Sequence, residues 1–221
     1  MAGGEKNMAA ARREMVQTQL RARGINNEDV LKAFSEIPRE RFIPTSHRRE
    51  AYGDHPVPIG HGQTISQPYV VALMVQELDP RPGQRVLDVG AGSGYQTAIL
   101  SRLVAQVYAI ERLEALARDA KSVLAELNID NVTFSVGDGS LGLPEEAPFD
   151  HIICGAAAPD VPPSWVEQLA EAGRIVMPVG CTEWQYLIAV EKHGKRIRRR
   201  EICGVRFVKL IGKEGWRNDG D

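Results

Sequence analysis

The stretch Val86-Leu87-Asp88-Val89-Gly90-Ala91-Gly92-Ser93-Gly94-Tyr95 is an apolar run that ends in three alternating glycines. Branched apolar residues favour a strand, and glycines at its end allow a tight turn in which backbone can approach a ligand closely. A helix follows from Tyr95. The pattern then repeats: Val107 to Ile110 and a helix over Leu113 to Leu127, then Val132 to Val136, Phe149 to Cys154 and Arg174 to Val179. Short apolar strands alternating with amphipathic helices predict a parallel sheet covered on both faces, a doubly wound, Rossmann-like α/β fold. In the Leu113 helix, Leu116, Ala117, Ala120, Val123, Leu124 and Leu127 form one stripe, expected to pack on the sheet. Tyr186 to Val190 and Glu201 to Leu210 flank His193-Gly194-Lys195 and read as a C-terminal antiparallel hairpin.

Upstream, Ala9 to Arg23 is helical, with Met15, Val16 and Leu20 on one side and Gly24 ending it. Asn27 is placed to cap a second helix that runs through Ile37, before Pro38. From Arg39 to Gln67, prolines at 44, 56 and 58 and glycines at 53, 60 and 62 resist both helix and sheet. Loops of that length in a compact domain usually carry function. A helix is expected from Pro68 to about Leu78 on the spacing of Val70, Val71, Met74, Val75 and Leu78. Met1 to Asn7 are expected to be disordered, and Met8 is a possible alternative start. The expected organisation is a disordered 1–8, one domain over 9–216 and a tail at 217–221. That domain divides into 9–80 (helices and loop), 81–180 (core) and 181–216 (late strands).

At 221 residues and 43% hydrophobic, the chain can bury a core without metal or disulfide support. A formal charge of −2 gives no footprint for nucleic acid, and the basic run Lys195 to Arg200 is read as a solvated turn and edge strand. Cys154, Cys181 and Cys203 are widely spaced, with no CxxC pair or histidine partner, so reduced thiols and no metal site are expected. No apolar run reaches membrane-spanning length and the N-terminus lacks a signal-peptide core, which makes the cytoplasm the expected compartment. A monomer is expected.

The glycine stretch implies a nucleotide-like cofactor at the carboxyl ends of the strands. A dinucleotide would require a third glycine where Tyr95 stands. Asp88 would oppose a pyrophosphate but favour the cationic ammonium and sulfonium of S-adenosylmethionine. Glu111 closes the second strand and can accept from both ribose hydroxyls, and Asp138-Gly139 after the third can accept from an adenine amino group. Each acid has a plainer reading: Asp88 as a loop cap, Glu111 as a helix-dipole partner, Asp138 as a turn residue. Three acids at the ends of three successive strands favour the cofactor. By analogy of fold, late antiparallel strands suit a methyltransferase better than most dehydrogenases.

The run Gly60-His61-Gly62-Gln63-Thr64-Ile65-Ser66-Gln67-Pro68-Tyr69 closely resembles the signature of protein-L-isoaspartate O-methyltransferases. The glycine loop, Ile110-Glu111-Arg112, Gly137-Asp138-Gly139, Phe149-Asp150, Pro178-Val179-Gly180 and Val205-Arg206-Phe207-Val208 extend the resemblance from about Ala11 to Trp216. Lys209, where bacterial members often carry proline, and Cys154-Gly155 are departures outside the signature. The resemblance implies a repair enzyme that methylates the free α-carboxylate of L-isoaspartyl residues in damaged proteins and peptides, leaving S-adenosyl-L-homocysteine. It implies Ser66 as the active-site residue. It also implies cofactor contacts from Gln63, Thr64, Ile65, Ser66, Asp88, Gly90, Ala91, Gly92, Ser93, Glu111, Asp138 and Gly139. Substrate contacts would come from Thr64, Ser66, Gln67, Val205 and Arg206.

A carboxylate is already anionic at neutral pH and attacks without a general base, which agrees with the absence of a metal or Ser/His/Asp constellation in the sequence. His61 and His151 are accordingly read as structural. The plainer reading of Ser66 is a helix cap, and of Thr64 a loop hydroxyl bonded to its own backbone. Two rival functions remain. A methyltransferase for other acceptors would have no reason to carry the 64–69 signature, and a non-catalytic binding module would have no reason to keep the acids and glycines.

Overall fold

The computed structural model describes residues 2–194 and 196–217. Helix α1 (Ala2–Glu14) continues as a π-helical segment, Met15–Leu20, and a 3-10 turn, Arg21–Arg23, that stops at Gly24 with φ +94°. The helix therefore takes in residues 2–8, where disorder was expected. Ala2, Glu5, Lys6, Met8 and the alanines after it are strong helix formers, and they extend a helix already anchored by buried Met15, Val16 and Leu20.

Helix α2 (Glu28–Glu36) is capped by Asn27, whose side chain accepts from the Asp29 and Val30 amides, an interaction usually worth about 1 kcal/mol. The segment expected to be structureless holds two 3-10 turns, Arg39–Phe42 and Thr45–Glu50. It then forms an antiparallel ribbon of β1 (Val57–Gly60) and β2 (Gln63–Ile65). His61 and Gly62 turn the ribbon at φ +53° and +70°, so the glycines read as breakers make a hairpin possible. Helix α3 (Pro68–Leu78) follows at the boundaries expected.

The main sheet then alternates with helices: β3 (Arg85–Val89), α4 (Tyr95–Ser101), β4 (Gln106–Glu111), α5 (Glu114–Glu126), β5 (Val132–Val136), β6 (Phe149–Cys154), α6 (Pro163–Gln168), β7 (Leu169–Gly180), β8 (Gln185–His193) and β9 (Arg196–Val205). Seven strands lie in the order β5-β4-β3-β6-β7-β8-β9, parallel through β7 and antiparallel thereafter. One core packs α1 to α5 against one sheet face, and a second, around Trp165, Phe149 and Met177, covers the other.

Strand β9 starts and ends five residues earlier than expected. The run Arg196 to Arg200 forms the edge strand, while 206–210 leave the sheet and cross to Ala157, whose amide donates to the Val208 carbonyl at 2.8 Å. Lys195, in the turn before it, lies outside the described residues.

Tyr95, the residue that breaks the dinucleotide pattern, is buried between Phe34 and Phe42, with ring centroids at 5.9 and 5.5 Å. A glycine there would leave a void between the N-terminal helices and the sheet. No helix among the described residues is long and apolar enough to cross a membrane.

Candidate active site

The loop after β3 has φ +70°, +54° and +83° at Gly90, Gly92 and Gly94, values that side-chain-bearing residues rarely adopt. It is held from the next strand: the Gly90 amide donates to the Ile110 carbonyl at 2.9 Å and the Gly92 amide to Glu111 Oε2 at 2.9 Å. Glu111 accepts from the Leu113 amide with its other oxygen and is nearly buried. Each carboxylate oxygen keeps a lone pair for a further donor.

Asp88 lies beneath this loop, fully buried. It accepts from Gln96 Nε2 at 2.7 Å and from the Thr97 hydroxyl at 2.6 Å. Burial pushes its carboxyl up to about 6, against the downward pull of those two hydrogen bonds. The carboxylate sits behind the loop, and Gln96, which donates to it, lines the loop cavity.

Asp138 follows β5. It caps the turn Gly139–Leu141, accepting from the Ser140 amide and hydroxyl with Oδ1, while Oδ2 accepts from the Lys213 amide at 2.8 Å. Ser140 engages Oδ1 and Lys213, from a segment folded across the turn, engages Oδ2, which keeps a lone pair for a further donor. Gly139 lines the cofactor cavity itself. A Cβ there would lie 2.6 Å from Val89 Cγ1, which requires glycine for close strand approach.

That cavity is bounded by Gln63, Thr64, Gly90, Gly92, Glu111 and Gly139 and roofed by Val208 to Ile211. A slot with a carboxylate at the end of β4 and a glycine cradle offers the acceptor that a ribose edge needs. It opens into a groove of about 520 Å³ walled by the 64–73 segment and by residues 203–208. Thr64 and Gly155 line the groove and both cofactor-side cavities, and Ser66 and Val208 the groove and one of them, so these residues mark the junction.

At the junction Ser66 does not cap α3. The cap position is Gln67, without a side-chain cap, and Pro68 opens the helix. Asp54 takes the free Tyr69 amide at 3.2 Å and pairs with Arg23, whose guanidinium lies 3.5 Å from the Tyr69 ring centroid. Sequence reading missed Arg23 and Phe207 as groove residues, and Asp54 as the support behind Arg23 and Tyr69. Nothing in their local spacing distinguishes them from turn and surface residues.

Val205 and Arg206 line the groove's far wall, as does Gln67 on the near one. Ile65 and Ser93 line the loop cavity with Ala91. His151 lies on β6, between the Gln84 side chain and the Arg174 amide, its imidazole pushed down to about 4 by burial. It stays neutral and structural. His61 is exposed at the ribbon tip. No cluster of metal-ligating side chains occurs among the described residues.

The family model for protein-L-isoaspartate(D-aspartate) O-methyltransferase matches residues 10–215. The chain belongs to this family. A relative from Methanoregula boonei named protein-L-isoaspartate O-methyltransferase is 52% identical over 94% of this chain and 95% of its own length. Another of that name, from Pelotomaculum thermopropionicum, is 49% identical over 99% and 97%. A solved protein-L-isoaspartate O-methyltransferase superposes with a TM-score of 0.81 at 31% identity, covering 92% of this chain and 67% of that one. A Plasmodium falciparum structure in complex with S-adenosyl-L-homocysteine gives 0.79 at 29%, covering 90% and 98%. As a methyltransferase of this family, the chain has the α/β fold and the cofactor class that the glycine loop implied.

Proposed function

We propose that this methyltransferase converts the free α-carboxylate of L-isoaspartyl residues in damaged proteins and peptides to its methyl ester, with Ser66 orienting the acceptor at the groove junction. The observation that carries the reading is the junction itself. A groove of about 520 Å³ and the smaller cavities at the glycine loop and at Glu111 meet at Thr64 and Ser66, on a family signature.

S-adenosylmethionine supplies an electrophilic methyl group on its sulfonium and leaves as S-adenosyl-L-homocysteine. Gln63, Thr64, Ile65 and the 90–93 loop would hold it, Glu111 would take the ribose hydroxyls, and Gly139 would allow the base to approach. Asp88 sets the charge beneath the loop, and Asp138 shapes the turn that presents Gly139. The acceptor carboxylate is ionised at neutral pH, so the protein has no proton to remove. Its contribution is alignment, which can lower a barrier by on the order of 7 kcal/mol or more. Ser66 makes no hydrogen bond through its hydroxyl to any described residue, leaving that donor for the acceptor. Thr64, Gln67, Val205 and Arg206 would bind the surrounding peptide. The ester is a better leaving group than the free acid, and succinimide formation then proceeds without the enzyme.

We place the protein in the cytoplasm, acting as a monomer, with one methyltransferase domain over 9–216. A single junction reached from an open groove needs no second copy. The deciding assay uses labelled S-adenosylmethionine and two peptides that differ only in L-isoaspartyl against aspartyl. Base-labile label on the isoaspartyl peptide alone is expected. Label on both, or on neither with cofactor binding intact, would overturn the acceptor assignment.

A further inference from the structure

Arg39, on the 3-10 turn after α2, is a fully buried arginine without an ion pair among the described residues. Its Nε donates to the Ala51 carbonyl at 2.8 Å and its Nη2 to the Ser66 carbonyl at 2.7 Å, while Nη1 has no partner. Its guanidinium faces the Tyr95 ring, 4.9 Å from the centroid. Burying a charge against carbonyls and a ring, rather than against a carboxylate, is costly, and packing alone would favour an apolar residue.

What the arginine holds has a directional consequence. The Ser66–Gln67 peptide is trans, so its carbonyl and its N–H point in opposite directions. With the Ser66 carbonyl drawn inward to Arg39, the Gln67 N–H points away from it, and both residues line the groove. That N–H, like the Ser66 hydroxyl, is bonded to no described residue.

We propose that Arg39 is a positioning residue for methyl transfer: it clamps the Ser66 carbonyl from the interior, so that the Ser66 hydroxyl and the Gln67 N–H stay aimed at the acceptor carboxylate. The inference rests on the reading of Ser66 as the acceptor-orienting residue. It adds the device that fixes Ser66 in place and names a second donor.

The test is a double-mutant cycle of Arg39→Lys and Ser66→Ala. It reads kcat/KM for an isoaspartyl peptide and, by calorimetry, Kd for S-adenosyl-L-homocysteine. Lysine keeps the charge and tends to keep the fold, but it cannot hold both carbonyls at once. Arg39→Lys is expected to lower peptide kcat/KM about tenfold with the homocysteine Kd within about twofold, and its effect should shrink to about threefold or less in the Ser66→Ala background. A merely structural arginine would lower both ligands' parameters together, and its loss would multiply with that of Ser66→Ala. Either result overturns the proposal and leaves the role of Ser66 standing. Wild-type kinetics for Ser66→Ala alone would instead overturn the reading of Ser66 itself, and the clamp with it.

Discussion

Replacing Asp88 by asparagine should separate what its charge does for the cofactor from what it costs the fold. Asparagine is nearly isosteric, and Gln96 and Thr97 can rotate their amide and hydroxyl to keep both hydrogen bonds. Burial raises the carboxyl from 3.8 to about 6, a difference of about 3 kcal/mol between its protonation states. Between those values the folded protein holds a proton that the unfolded chain has released. Stability from this group is therefore fully present below about pH 4 and lost as pH rises through about 6. Relative to wild type, Asp88→Asn should gain about 3 kcal/mol across that window, read as the difference between urea unfolding curves at pH 4 and pH 7. The same charge favours a sulfonium over a neutral thioether. Opposite charges a side chain's length apart, at an effective dielectric of about 20, attract by about 2 kcal/mol. Calorimetric titration at pH 7.5 should show S-adenosylmethionine losing about thirtyfold in affinity in Asp88→Asn and S-adenosyl-L-homocysteine, which keeps only the ammonium, losing less. Wild type should lose the same preference as pH falls below about 6. A ratio of the two affinities that ignores both the substitution and the pH would refute the charge argument. A flat stability difference would refute the burial argument.

Three further perturbations probe other parts of the molecule. His151 is lowered to about 4 by burial, so the unfolded chain takes up a proton first, and stability is lost as pH falls from about 6.5 through 4. His151→Gln should abolish a loss of about 3 kcal/mol over that range, seen in acid unfolding, where wild type partly masks it because Asp88 titrates in the opposite sense. Asp54→Asn loosens both Arg23 and the first turn of α3. The KM for an isoaspartyl peptide should rise several-fold with cofactor affinity intact, and a change in cofactor affinity alone would contradict the placement of Asp54 behind the groove. Gly139→Ala puts a methyl group 2.6 Å from Val89 Cγ1, which should cost about 1–3 kcal/mol of stability and weaken binding of both cofactor forms; an unchanged Tm would show that β3 yields freely.

Much of this protein was legible along the chain. Periodicity placed α3, β3, β5 and β6 at their boundaries, because a strand or helix buried on a sheet must repeat its apolar residues at its own spacing. Asn27 was legible as a cap and Gly24 as a stop, since those roles are satisfied within a few residues. The glycine loop, Glu111 and the 64–69 signature located the cofactor side and the acceptor side of the site, and resemblance named the reaction.

Contacts between segments distant in sequence were decided only in three dimensions. Asp88 reads as a ligand-facing acid, but the sheet buries it under its own loop. Asp138 stands at a strand end in the sequence, and only the fold brings residues 212–214 back across it, Lys213 from 75 residues away. Strand β9 ends early because 206–210 are drawn to Ala157, which turns an expected hairpin arm into the roof of the cofactor cavity. Arg39 carries no local signal at all. Its importance lies in reaching Ser66, 27 residues on, with a guanidinium long enough to bridge two backbone carbonyls inside the core. Local sequence sets which elements form, because backbone hydrogen bonding and side-chain spacing are local. Which polar groups are left to bind and align a ligand depends on what the rest of the chain brings beside them.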